Sequence, residues 1–345
     1  MHIPENYLSP VSCAVMTAAM IPIWYHAAQK TGSTFPKEKI PFLGIGASFS
    51  FLGMMFNIPL VGGTTGHAVG GTLLAIMLGP NAACIAISIA LLLQAVLFGD
   101  GGILSWGANC FNMAFILPFS GYAIYKLITR LYHNLTKKEE GTAIRCVASA
   151  IGSYIGINLA ALCTAIEFGI QPILFSDAAG NALYCPYGLS VAIPAMMIPH
   201  LAVAGFVEAI FTVAILAFIL KISPDLIFDN NAFRNNSEKK RRFPIFALLA
   251  ILIAATPLGL IASGTAWGEW GADEISNISE NGTPLGYTPR GMIEGLKINT
   301  LFPDYSIDGT NSVIAYILSA IIGVALLIII FKILSQFLNR KTKRS

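Results

Sequence analysis

The chain has 345 residues, of which 55% are hydrophobic and only 11% are Asp, Glu, Lys or Arg, with a net charge of +3 and a mean hydropathy of +0.69. An ordinary soluble domain carries about 25% charged residues, so the balance argues against a soluble enzyme, a disordered chain, a fibrous protein and a coiled coil. It also argues against a transmembrane β-barrel, whose strands alternate polar and apolar over about 10 residues, and the small net charge gives no sign of a nucleic-acid partner.

A bilayer span takes about 20 mostly apolar residues. In chain order, apolar stretches fall at 8–28, 40–57, 67–79, 81–98, 104–132, 143–168, 188–221, 244–263 and 312–338. The expected fold is an all-α polytopic membrane protein with about nine transmembrane helices. Gly79-Pro80-Asn81 is a turn signal, and 67–98 is too long for one straight span, so this stretch is read as two. Placing the N-terminus outside puts 19 of the 21 Lys and Arg residues at cytoplasmic positions. They lie in 29–39, 126–145, 221–243 and the tail after 331, and only Arg290 and Lys297 fall elsewhere. This positive-inside bias predicts an outside N-terminus and a cytoplasmic C-terminus.

The polar, basic run 230–242 lacks apolar periodicity and reads as a cytoplasmic linker. The expected organisation is a seven-helix block over 1–225, a linker over 226–242, and a two-helix block over 243–345 with an external loop at 264–310. The N-terminus lacks the basic n-region of a signal peptide, so Met1 is expected to survive on the outer face, followed by the bulky His2. Cys13, Cys84, Cys110, Cys146, Cys163 and Cys185 are scattered, without a C-x-x-C pair, and read as small core hydrophobes. Small residues at helical spacing (Ala14, Ala18, Ala19; Gly152, Gly156; Ala160, Ala161) suggest close helix contacts, within the bundle or with a partner subunit.

A chain that begins Met1-His2 is itself a chelator. The Met1 α-amine, the His2 amide nitrogen and the His2 imidazole Nδ1 close one five-membered and one six-membered ring around a metal. All-nitrogen, tetragonal sites favour Ni(II) or Cu(II). His67 is the candidate for a fourth nitrogen. It sits in a glycine-rich run at the outer mouth of the third span, where an ionisable residue is a site candidate. His26 and His133 read as solvated or snorkelling. Asp100 and Asn109, on the loop after the fourth span, either orient this centre or cap helix ends. His200 and Glu208 lie eight residues apart in the seventh span, about 80° around the helix, and read as polar glue between helices. Glu167 and Asp177 flank an outer loop and read as solvated. Trp267 and Trp270 read as anchors at the outer headgroups.

Several motifs together resemble the CbiM/NikM family, the substrate-binding components of energy-coupling-factor transporters for cobalt and nickel. They are Met1-His2-Ile3-Pro4, Gly66-His67-Ala68-Val69-Gly70-Gly71, Gly99-Asp100-Gly101-Gly102-Ile103 with Gly107-Ala108-Asn109 and Asn112-Met113, and His200, Gly205, Glu208 and Thr212. The resemblance covers about 1–222. It implies a metal held by the Met1 amine, the His2 amide and imidazole, and His67, with Asp100, Asn109, His200 and Glu208 as a possible second shell. It also implies a membrane-embedded coupling subunit and cytoplasmic ATPases as partners. The stretch 255–271 and Pro303-Asp304-Tyr305 resemble the PDGLE domain, laid out like the small CbiN/NikN component, although the literal Pro-Asp-Gly-Leu-Glu string is absent.

The expected function is therefore substrate capture for ATP-driven uptake of Co2+ or Ni2+ across the cell membrane, the cargo serving cobalamin synthesis or a nickel enzyme. The chain has no G-x-x-x-x-G-K-[ST] phosphate loop, so no nucleotide is expected on it and it is not expected to be an enzyme. An intramembrane hydrolase built on His200, Glu208 or Ser190 lacks H-E-x-x-H and G-x-S-x-G. A passive channel or a sensor is the other alternative, and tight chelation argues against fast conduction.

Overall fold

The computed structural model describes residues 1–35, 39–60, 64–228, 243–262, 265–280 and 283–342. The basic linker expected over 226–242 lies outside the described residues from 229 onward, as do Lys37, Lys343 and Arg344.

Each expected apolar stretch coincides with a helix. These are α1 (Pro10–Thr34), α2 (Ile40–Met55), α3 (Gly71–Leu78), α4 (Pro80–Phe98), α5 (Trp106–Thr136), α6 (Thr142–Gly169), α7 (Leu189–Ile222), α8 (Phe243–Ala255) and α9 (Ser312–Thr342). Among the described residues, seven helical segments are long and apolar enough to cross a membrane. Helix α2, with 16 residues, and α3, with eight, fall short of that length.

Helix α2 is apolar on every side and almost wholly buried, which marks a central helix of the bundle. Around it pack α4 and α3 of the first block and α9 of the second, with Gly44 against the α9 backbone at Ile328 and Gly323 against the Phe51 ring. The second block is thus built onto the centre of the first. Gly152 and Gly156 let α6 approach α5 closely. A Cβ at Gly152 would sit 2.5 Å from the Gly121 carbonyl oxygen. Ala160 and Ala161 are also buried, whereas Ala14, Ala18 and Ala19 are exposed on α1. Four cysteines are buried, Cys146 and Cys163 are half-buried, and all six are free, in line with their reading as core residues.

Helix α3 is bounded by breaks. Gly79 has φ +84°, a conformation open to glycine, and Pro80 then starts α4. At 1.5 Å per residue, eight residues rise only about 12 Å. The residues just before it, 67–70, are not helical, and 68–78 is entirely buried in protein. The carboxylate of Glu208, on α7, accepts hydrogen bonds from the N–H groups of Val69 (2.7 Å) and Gly70 (3.0 Å). It thereby supplies the cap that the α3 N-terminus needs.

The far end of α3 meets the end of the molecule where Lys39, Leu226 and Ile245 gather around Met77 and Leu78. The Phe228 N–H donates to the Ile76 carbonyl oxygen. The near end lies with the N-terminus and with the loops 99–105, 175–188, 265–280 and 283–305.

Candidate metal centre

The nine residues before α1 are stitched into the loop between α4 and α5. The Ile3 N–H donates to Asn109 Oδ1 at 2.7 Å. The Ile3 carbonyl oxygen accepts from Asn109 Nδ2 (3.0 Å), Ser105 Oγ (2.7 Å) and the Gly102 N–H (2.9 Å). The Glu5 carboxylate accepts from the N–H groups of Ile103 and Leu104. Gly102 permits the approach, since a Cβ there would sit 2.8 Å from the Glu5 main chain. Further along, the Ser9 N–H donates to Gln171 Oε1, and the Cys185 N–H to the Tyr7 carbonyl oxygen. Met1, His2 and Ile3 are consequently 6%, 2% and 0% exposed.

A two-strand hairpin, β1 (Ile58–Leu60) with β2 (Thr64–Gly66), pairs Ile58 with Gly66 and delivers His67 to the same place. Residues 61–63 of its glycine-rich run lie outside the described residues. His67 Nδ1 is 3.3 Å from the Ala68 carbonyl oxygen. A proton on Nδ1 satisfies that oxygen and leaves the Nε2 lone pair facing outward from the loop. That Nε2 lies 3.2 Å from His2 Nδ1. At metal–nitrogen distances of about 2.0–2.1 Å, adjacent donors on one ion stand about 2.9 Å apart, so the two imidazoles need shift only by tenths of an ångström to share one.

Asp100 Oδ1 is 3.0 Å from the same His2 Nδ1. A cation seated between the imidazoles would therefore lie beside a carboxylate that balances part of its charge. Asp100 Oδ2 accepts from the Tyr305 hydroxyl (2.5 Å) and from Gln94 Nε2 (3.2 Å). Burial opposes ionisation of Asp100, but His2 and the Tyr305 hydroxyl hold its carboxyl well below the usual carboxylate range. The Met1 amine is paired with Glu269 Oε1 at 2.7 Å. Among the described residues no cluster of three or more His, Cys, Asp or Glu side chains is arranged to hold a metal.

The structure thus brings together Met1, His2, His67, Asp100 and Asn109. Glu208 acts one step back, holding the backbone just after His67. His200 lines a small cavity beside Met1 and bonds through Nδ1 to the Met196 carbonyl oxygen within its own helix (2.7 Å). His26 and His133 are exposed. Asp177 is exposed, with the N–H groups of Ala179 and Asn181 donating to it.

One expectation needs correction. Glu167 is not solvated: it is 8% exposed on α6 and accepts from Asn112 Nδ2 at 2.8 Å, because the final turns of α6 sink behind the N-terminal segment. Trp267 and Trp270 pack against Phe168 and Tyr187 and each other, with ring centroids 5.3–6.2 Å apart. Both stay half-buried, with one side packed on aromatic partners.

Glu5, Ser105 and Glu269 were not singled out from the sequence. Glu269 carries the only available hint, its place between two tryptophans in the PDGLE-like stretch. No spacing rule links it to a residue 268 positions away.

Comparison with known proteins agrees with this architecture. The family model for the CbiM cobalt uptake substrate-specific transmembrane region matches residues 2–226, and that for the PDGLE domain matches residues 241–340. The probable fused nickel transport protein LarMN of Lactiplantibacillus plantarum is 47% identical over 347 residues, covering 100% of this chain and 99% of that one. The fused nickel transport protein NikMN of Rhodobacter capsulatus is 43% identical over 339 residues, 95% of each chain. A crystal structure of a transition metal transporter, 53% identical, superposes with a TM-score of 0.59 over 70% of this chain and 100% of that chain.

Proposed function

Because the chain belongs to the CbiM family of cobalt-uptake substrate-specific transmembrane proteins, with a PDGLE domain fused behind it, we propose that it captures a divalent cobalt or nickel ion at the outer face of the cell membrane for an ATP-driven uptake system. It is a multi-pass membrane protein and a transporter component, not an enzyme. In this reading the chain crosses the bilayer nine times, N-terminus outside and C-terminus inside, with α3 and its extended approach as the third crossing. Residues 1–225 form the capturing block, 226–242 the cytoplasmic linker and 243–345 the auxiliary block. A membrane-embedded coupling subunit and cytoplasmic ATPases supply the energy, since the chain lacks a phosphate loop of its own.

The ligands are the Met1 amine, the His2 amide nitrogen, His2 Nδ1 and His67 Nε2. Asp100 balances charge beside them, Asn109 fixes the main chain after His2, and Glu208 fixes the main chain after His67. The observation that carries the reading is the buried pair His2 Nδ1 and His67 Nε2, 3.2 Å apart. A nitrogen set of this kind suits Ni(II) by geometry. The coupling partners and the metal supply decide between nickel and cobalt.

The test is the metal content of the purified protein with its native terminus, beside a form with two residues added before Met1. One ion per chain in the first and none in the second is expected, because the extension turns the amine into an amide. His2→Ala and His67→Ala should lower affinity by more than the roughly 10–100-fold typical of losing an outer partner. Full metal in the extended form would remove the amine from the ligand set.

A further inference from the structure

Resting on that reading, we propose that Glu167 is a positioning residue for the chelate. As the neutral acid it forms a doubly hydrogen-bonded pair with Asn112, and this pair locks together the two helices that hold the N-terminal segment. The segment has two side-chain anchors. Asn109, on α5, clasps Ile3, and Gln171, just past α6, accepts from the Ser9 N–H at 3.0 Å. Asn112 stands three residues after Asn109. Glu167 stands four residues before Gln171, whose Nε2 donates to the Glu167 carbonyl oxygen at 2.9 Å. The contact between Asn112 and Glu167 therefore joins α5 to α6 about one turn from each anchor.

Asn112 lies in a π-helical turn of α5, Cys110–Ile116, an irregularity that frequently marks a functional position. Its Nδ2 donates to Thr164 Oγ1 (3.0 Å) and to Glu167 Oε2 (2.8 Å). Thr164 Oγ1 gives its own proton to the Ala160 carbonyl oxygen (3.2 Å). It must accept from Asn112, and this fixes which end of the amide faces α6. Two buried oxygens of the same acid–amide pair, Glu167 Oε1 and Asn112 Oδ1, then have no hydrogen-bond partner. Two acceptors cannot serve each other, and an ionised carboxylate leaves both unsatisfied, each at a cost. One proton on Glu167 Oε1 answers both, because it makes the carboxyl a donor to Asn112 Oδ1. Charge agrees with this. No Lys, Arg or His of the described residues pairs with Glu167, and an isolated buried charge is costly. The titratable groups that face it are the thiols of Cys13 on α1 and Cys163 on α6.

The experiment uses the full-length protein with its native terminus, in detergent, as the unaltered chain, Glu167→Gln and Glu167→Ala. The infrared difference spectrum between the unaltered chain and Glu167→Gln reports protonation. At neutral pH it should show the carbonyl stretch of a protonated carboxyl, shifting on exchange into heavy water. Carboxylate stretches in its place would overturn the proposal. Titration with nickel(II) chloride reports positioning. A glutamine donates and accepts as the neutral acid does, so Glu167→Gln should bind nickel as the unaltered chain does. Glu167→Ala should bind it roughly 10–100-fold more weakly, the usual cost of losing an outer partner. Weak binding by Glu167→Gln, or full affinity in Glu167→Ala, would overturn the positioning role. Should Glu167→Ala fail to fold, the infrared band and the glutamine variant still decide. An unaltered chain that binds neither nickel nor cobalt would remove the proposed function, and the positioning role with it. A carboxylate at Glu167 in a chain that does bind metal would sink this proposal alone.

Discussion

His2 and His67 meet because two separate stretches of main chain are held rigid beside them. On the His2 side, Asn109 clasps both polar groups of Ile3. Replacing it with Ala leaves a buried N–H unsatisfied, at about 1–3 kcal/mol. We expect Asn109→Ala to lower metal affinity roughly 10–100-fold while the detergent-solubilised chain stays folded, measured by metal titration alongside thermal unfolding; unchanged affinity would make Asn109 merely structural. The metal-ligand candidates were legible in the sequence because chelation by Met1 and His2 is a matter of covalent ring size, which needs no tertiary structure. The partners of those ligands were less so. Asp100 and Asn109 stood out only as polar groups on a glycine-rich loop, open to a helix-capping reading. Ser105 and Glu5 carried no signal at all, since a serine and a glutamate near loops are commonplace.

Among the elements, α3 departs furthest from a simple hydropathy reading. A run of apolar residues at 67–79 gives a span by composition, but Gly70 and Gly79 confine the helix to eight residues. The cost of the unravelled part is met by Glu208, whose position in α7 suggested polar glue and whose actual partners are the two N–H groups at the α3 terminus. Glu208→Ala should therefore lower stability by about 1–3 kcal/mol for the exposed donors and loosen His67 with them. Glu208→Gln, which keeps one acceptor oxygen, should recover most of both. Thermal unfolding and metal titration of the two variants decide it: equal losses in Ala and Gln would mean that the charge, not the acceptor, is what α3 needs. The other eight helices were legible by place, their starts within two residues and their ends within eight, because length and uniform apolarity are what a bilayer demands.

At the scale of the molecule, the proposed orientation rests on the placement of the basic residues. Asp177 and Lys138 are both exposed, on loops at opposite ends. In intact cells, a membrane-impermeant thiol reagent should label Asp177→Cys and leave Lys138→Cys unlabelled until the membrane is opened; the reverse pattern would invert the topology. The basic run 230–242 suggests two blocks in the sequence. The close packing of α9 on α2 was not legible there, because hydropathy is blind to which helices touch. Helix α9 lies along α2, and the Tyr187, Trp267 and Trp270 cluster ties the outer loops together. One further consequence lies in the pairing of Met1 with Glu269. The two residues stand 268 positions apart, and Asp100 stands 205 from Tyr305, so the surroundings of both the Met1 amine and Asp100 close only when the second block has folded onto the first.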